Sequence, residues 1–278
     1  MAQPMNLKVC RPKLKILVHY LLMVMPKSLA VLPYLSMVTV IEWLQKSHFT
    51  DDKVCTIGIA RWLSCDPTKD ASRILRETCL MYPRCGYGGM FSRWVTDDSV
   101  GPYNSWGNGA PMRVSPAGWY AKTLEESYHL AESASNPTHN HPQAVKGAKV
   151  VAGIIHLLKN LSLEESMAEV MKLDSDGHYA SILSKSIDEI RPNYTFKVSS
   201  KDTVPQALLC VREATSFEDA IRNAISLGGD ADTLAAITGS IAECIFDAPE
   251  EIEIGVFQRL DKNLAAYLTE FYKAVSFR

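Results

Sequence analysis

Oxygen-bearing side chains crowd two short stretches of this chain, Thr50-Asp51-Asp52 and Gly228-Gly229-Asp230-Ala231-Asp232-Thr233. Together they offer four carboxylates and two hydroxyls. All are hard donors, which suit Mg²⁺ or Mn²⁺ better than zinc or copper. With bridging carboxylates such a set could hold two ions about 3.5–4 Å apart, as two-metal hydrolytic centres do. Helix capping is the plainer use of the same residues. Thr50 or Asp51 can serve as an N-cap, and Asp230, Asp232 and Thr233 can accept from the free N–H groups of a helix start. Capping accounts for one carboxylate at each helix. The small residues that follow, Ala235, Ala236, Gly239 and Ala242, predict a closely packed interior helix, where two carboxylates need a neutralising cation.

A third stretch, Tyr103 to Arg113, contains Gly107-Asn108-Gly109. Glycines there let the backbone approach a ligand and present N–H groups to a phosphate or ribose, although a plain turn uses the same residues. His139 and His141 lie two apart with no cysteine or third histidine nearby, which favours hydrogen bonding over metal ligation. Thr96-Asp97-Asp98-Ser99 nearly repeats the first acidic turn.

The elements that position these residues are helices. Phe217, Ala220, Ile221, Ala224 and Ile225 recur at helical spacing before Gly228, and Leu234, Ile237, Ile241 and Ile245 do so after it. The hexapeptide is therefore a joint between two helices, with glycines ending the first. Val54, Ile57, Gly58 and Trp62 predict an inward helical face after the first acidic turn. Further helices are expected over 70–82, 116–131, 145–158, 203–214, 217–227 and 256–274, with a glycine-rich aromatic loop over 86–94. Ser162 with Glu165, and Thr215 with Glu218, read as capping boxes. No period-2 segment of useful length, P-loop or dinucleotide fingerprint is present. The fold class is all-α, a compact single-domain multi-helix bundle.

A chain of 278 residues with 47% hydrophobic and 22% charged content is ordinary for a soluble globular protein. A net charge of −2 without a basic stripe argues against nucleic-acid binding. Seven scattered cysteines make neither a disulfide framework nor a zinc site and fit a reducing, cytoplasmic compartment. Residues 1–46 read as a separate apolar segment ahead of a domain over 47–278, expected to be a buried helical pair, with a signal or anchor and an atypical start as the alternatives. Its two apolar runs are interrupted by Pro26-Lys27 and fall short of the roughly 18 residues a membrane span needs.

Phe49-Thr50-Asp51-Asp52, Ser105 to Pro116, Thr138-His139-Asn140-His141-Pro142 and Gly228 to Ile237 occur in an order and spacing that resemble the ADP-ribosylglycohydrolases. The resemblance implies an all-α fold with a two-magnesium or manganese centre that cleaves the bond at ADP-ribose C1″. The substrate would be an ADP-ribosylated protein or a small ADP-ribosyl compound. By the family pattern Thr50, Asp51, Asp52, Asp230, Asp232 and Thr233 are metal ligands, and Asp51 or Asp52 takes the proton from water. Ser105, Gly107, Asn108, Gly109 and Met112 line the diphosphate and ribose, and His139 contacts the ligand. Asp97 and Asp98 are not expected to be ligands. Two departures stand out. The family's opening Gly-Asp segment has no counterpart in residues 1–46, where Glu42 is the one carboxylate, and Lys53 replaces a threonine. An alternative function is an ADP-ribose-binding or structural member that has lost turnover. An unrelated two-metal phosphohydrolase is a third reading.

Overall fold

A computed structural model of the chain describes residues 49–278. The helical segment expected over 1–46, with Glu42, lies outside the described residues. Among the described residues the structure is helical, with one isolated antiparallel bridge, Gly107 to Ser199, and no strand. No helix there is long and apolar enough to cross a membrane.

The first helix, α1 (Asp51–Cys65), buries Val54, Ile57, Gly58 and Trp62 as their spacing predicts. It packs on α2 (Ser72–Leu80) and on the last helix, α14 (Lys262–Ser276). Next comes α3 (Gly89–Thr96), where a loop was expected. Phe91, Trp94 and Val95 fall at i, i+3 and i+4 and are buried, and this apolar face outweighs the poor helix propensity of the glycine that opens it. A 3₁₀ turn (Pro111–Arg113) leads into α4 (Ser115–Tyr120).

The helix expected over 116–131 is two helices, α4 and α5 (Leu124–Ser135). The break falls at Thr123, whose hydroxyl caps α5 by accepting from Glu126 N at 3.1 Å. Helix α6 (Pro142–Leu157) packs against α4 and α5 and forms the middle of the core. Short helices follow: α7 (Leu163–Val170), opened by the expected Ser162/Glu165 capping box, α8 (His178–Leu183) and α9 (Ile187–Ile190).

Helix α10 (Ser200–Arg212) starts three residues ahead of expectation, because Ser199 caps it by accepting from Asp202 N. Helix α11 (Phe217–Leu227) spans the predicted residues, but its cap is Ser216 with Asp219 in place of Thr215 with Glu218. It joins α12 (Ala231–Ile245) through Gly228 and Gly229, at φ +73° and +68°. Glycine tolerates that left-handed geometry. Helix α12 is buried from Thr233 to Glu243 and packs on α10 and α11. The closing helix expected over 256–274 is again two, α13 (Glu250–Phe257) and α14. Asp261 restarts the chain by accepting from Asn263 N and Leu264 N.

Candidate functional site

Both acidic corners sit at helix starts, yet neither spends its side chains on capping. Thr50 occupies the N-cap position of α1 without a side-chain cap bond, and its hydroxyl donates to Asp52 Oδ2 at 3.2 Å. Asp230, at the N-cap of α12, makes no cap bond either. Its Oδ2 accepts from Asn108 Nδ2 at 2.7 Å. The capping expectation is therefore corrected: the Thr50 hydroxyl bonds Asp52 beside it, and Asp230 reaches across to the glycine loop.

The two corners converge. Burial pushes the Asp51 carboxyl up to about 8, with Asp52, Asp232 and Asp230 adding to the rise. Asp52 rises to about 6, through burial first and Asp232 second, while Lys53 and the hydroxyls of Thr50 and Thr233 oppose the shift. Asp230 is raised to about 7, by burial and then by Asp232 and Asp52, against the stabilising Asn108 bond. Carboxylates from α1 and α12 repel one another only when they share a small, poorly solvated space. Asp51 and Asp232 are half-buried, whereas Thr50, Asp52 and Thr233 are buried.

The donor chemistry of this cluster fits a hard divalent cation. Asp52 Oδ1 is buried with no hydrogen-bond partner, and an unsatisfied anionic oxygen of that kind calls for positive charge. Among the described residues no three acidic, histidine or cysteine side chains already close on one point as a finished cage. The donors are gathered within electrostatic reach of each other and not collapsed. Lys53 is buried as well, at 1% exposure. Its ammonium lies within reach of Asp52, Asp232 and Asp51, and burial lowers its proton affinity.

The glycine loop closes one side. Asn108 N donates to Val198 O at 2.8 Å, Ser200 N to Trp106 O at 3.0 Å, and Ser200 Oγ to Gly107 O at 2.7 Å. These bonds pin the loop to the entry of α10. Asn108 Nδ2 also lies 3.3 Å from Thr203 Oγ1. Ser105 Oγ accepts from Gly107 N, so Ser105 shapes the loop. Met112 is buried, and its carbonyl lies 3.3 Å from Thr56 Oγ1, tying the loop to α1. His139 sits against the loop: a Cβ on Gly109 would lie 2.9 Å from His139 Nε2. His141 caps α6 by accepting from Gln143 N. On the α1 side, Asp51 N donates to Cys85 O at 2.8 Å.

Asp97 and Asp98 stand outside this arrangement, as expected. Asp97 Oδ1 accepts from Ser99, and Asp98 pairs with Arg76 at 3.5 Å. Thr203 and the carbonyls of Cys85 and Val198 were not singled out from sequence, since each enters through a contact between distant parts of the chain. A cavity of about 590 Å³ elsewhere, walled by Trp119, His156, Lys159 and Arg278 among others, shares no residue with the cleft.

Fold and site together define an all-α protein with an oxygen-lined cleft beside a glycine loop. The sequence signature of the family described as ADP-ribosylglycohydrolase matches residues 25–249, and the chain belongs to that family. It is similar to an ADP-ribosylarginine hydrolase Tri1 of Pseudomonas putida (strain GB-1), 30% identical over 176 residues, covering 58% of this chain and 45% of that protein. It is also similar to an ADP-ribosyl-[dinitrogen reductase] glycohydrolase of Rhodospirillum rubrum, 25% identical over 241 residues, covering 80% of this chain and 76% of that protein. The chain spans less than half the length of the Tri1 hydrolases it matches. A solved structure titled an ADP-ribosylglycohydrolase-related protein complex has the same fold, with a TM-score of 0.69 over 95% of this chain and 94% of its own, at 18% identity.

Proposed function

We propose that this protein hydrolyses the glycosidic bond at C1″ of ADP-ribose attached to a protein side chain, using Mg²⁺ or Mn²⁺. The observation that carries the reading is the convergence of Asp51 and Asp52 on Asp230 and Asp232 beside the Gly107–Gly109 loop. Thr50, Asp51, Asp52, Asp230, Asp232 and Thr233 would hold the metal, and bound cations supply positive charge that orients ribose hydroxyls and a water. The loop residues Ser105, Gly107, Asn108, Gly109 and Met112, with His139, form the wall against which diphosphate and ribose lie.

Cleavage passes through an oxocarbenium-like state. The water oxygen bonds to C1″ as the bond from C1″ to the side chain breaks. The electron pair stays with the departing side chain, and a guanidinium that leaves as neutral guanidine takes up a proton in exchange for the one the water gives up. Asp51 or Asp52, held ionised by the cations it would ligate, accepts the water's proton. The ionised carboxylates of the cleft stabilise the positive charge that develops on the sugar. Arginine is the first acceptor to test, because one relative is named an ADP-ribosylarginine hydrolase.

A second reading, ADP-ribose binding without turnover, draws on buried Lys53, whose ammonium lies where it opposes a divalent cation. Release of ADP-ribose from an ADP-ribosylated arginine peptide, run beside titration calorimetry with ADP-ribose and Mg²⁺, separates the two. Metal-dependent release supports the hydrolase. Binding with no release supports the second reading.

A further inference from the structure

The cavity walled by Trp119, Lys122, His156, Lys159 and Arg278 holds about 590 Å³, the size of a small-molecule site. Its walls come from the α4–α5 connection, the end of α6 and the end of α14. His139, against the glycine loop, precedes the first turn of α6, and His156 sits in its last. Roughly 20 Å of helix therefore separates the cavity from the loop.

Three of the lining residues, Lys122, Lys159 and Arg278, are cationic and none is acidic. Lys159 Nζ donates to Trp119 O at 2.8 Å and to Ala121 O at 3.1 Å. These bonds close the end of α4, a common use of lysine at a helix C-terminus. They occupy two of the ammonium's three N–H groups, and among the described residues no carboxylate pairs with it. Withdrawal of the ammonium from water lowers its proton affinity to about 8 against Cys244 and Glu126, with Arg278 adding to the drop. Glu126, beside the cavity, has both oxygens bonded: Oε1 accepts from Arg278 at 2.6 Å and Oε2 from Lys122 N at 2.7 Å. The Arg278 guanidinium lies 3.9 Å over the Tyr120 ring and keeps N–H groups beyond the Glu126 bond. His156 adds no charge near neutral pH, since burial and then Lys159 lower its proton affinity. Excess positive charge drawn partly out of water is stabilised by an anion.

We propose that this cavity is a second ligand site, separate from the cleft, that takes a phosphate monoester carried on a flat ring, such as a nucleoside monophosphate. Near neutral pH such a phosphate carries close to two negative charges and three acceptor oxygens. That matches the donors of Lys159 and Arg278 and the excess charge better than a single carboxylate does. Trp119, half-buried in the wall, supplies an aromatic surface for the ring. The site needs neither the metal nor the cleft of the proposed function.

Titration calorimetry of the full chain with AMP, adenosine and inorganic phosphate, paired with protein-observed NMR, tests it. Metal-free buffer keeps the cleft carboxylates repelling a phosphate. AMP should bind roughly tenfold more tightly than either fragment and shift the amide resonances of residues 119–122 and 156–160. Lys159→Met should weaken AMP about tenfold, the worth of a charge-assisted hydrogen bond. Arg278→Gln, which leaves the α4 carbonyl bonds in place, should do the same and stands as the test if Lys159→Met fails to fold. No AMP binding at millimolar concentration would overturn the site, as would binding that survives Arg278→Gln or shifts only the glycine loop. Inorganic phosphate binding as tightly as AMP would overturn the ligand class. Failure of the protein to release ADP-ribose would count against the proposed function alone, since neither substitution touches the cleft.

Discussion

Asn108 Nδ2 and Asp230 Oδ2 are 2.7 Å apart, although 122 positions separate the two residues in the chain. The glycine loop and the second acidic corner are thereby one structural unit, and a ligand held by the loop lies beside the carboxylates. A hydrogen bond to a charged acceptor contributes about 1.5–3 kcal/mol. Asn108→Ala should lower unfolding free energy by about that amount, read by denaturant melts. Asn108→Asp should be worse at neutral pH, because it sets a further carboxylate against Asp230. Its deficit should shrink as pH falls and the pair shares a proton.

Asp232 is the acidic group that Asp51, Asp52 and Asp230 all feel. Removing its charge relieves repulsion in the metal-free protein while deleting a donor. Asp232→Asn should therefore melt at the same or higher temperature without divalent ions, and should lose the Mg²⁺-induced rise in melting temperature along with release activity. Unchanged turnover in this variant would contradict the metal assignment.

Asp51, Asp52 and Asp230 bind protons more tightly in the folded chain, with values raised from 3.8 to about 8, 6 and 7. Over that span the native state holds more protons than the unfolded one, so the slope of unfolding free energy with pH is negative. The metal-free protein should lose stability as pH rises from about 4 to about 8. Saturating Mg²⁺ should flatten or invert the trend, since a cation replaces the protons and binds more tightly as they leave. Thermal melts at several pH values, with and without Mg²⁺, measure both halves.

Lys53 places a buried positive charge beside this cluster. Lys53→Thr removes like-charge repulsion toward a divalent ion, so Mg²⁺ should bind more tightly by calorimetry, on the order of tenfold for each 1.4 kcal/mol relieved. The same variant should melt lower without metal, because the carboxylates lose a neutralising neighbour. Weaker Mg²⁺ binding in Lys53→Thr would show that the ammonium supports the site.

Much of the helix pairing around the site was legible, because α11 and α12 carry unbroken apolar stripes and glycines at their joint. The stripes could not reveal breaks at Thr123 and Asp261, where hydroxyl and carboxylate caps restart helices inside continuous apolar patterns. Glycine and aromatic composition likewise hid α3. Within the site, motif spacing singled out the oxygens of both corners. What they do was harder to read, since Thr50 and Asp230 occupy cap positions and serve contacts that arise only on folding. Arg113 and Thr138 lie inside the motifs, but their mutual bond joins residues 25 positions apart and arises only on folding.

The central claim is that the corners at 50–52 and 230–233 hold cations in common. Anomalous diffraction from crystals loaded with Mn²⁺ tests it most directly. The account predicts anomalous density in contact with oxygens of Asp51 or Asp52 on one side and Asp230 or Asp232 on the other. Density confined to one corner, or none in the cleft at saturating Mn²⁺, would contradict it.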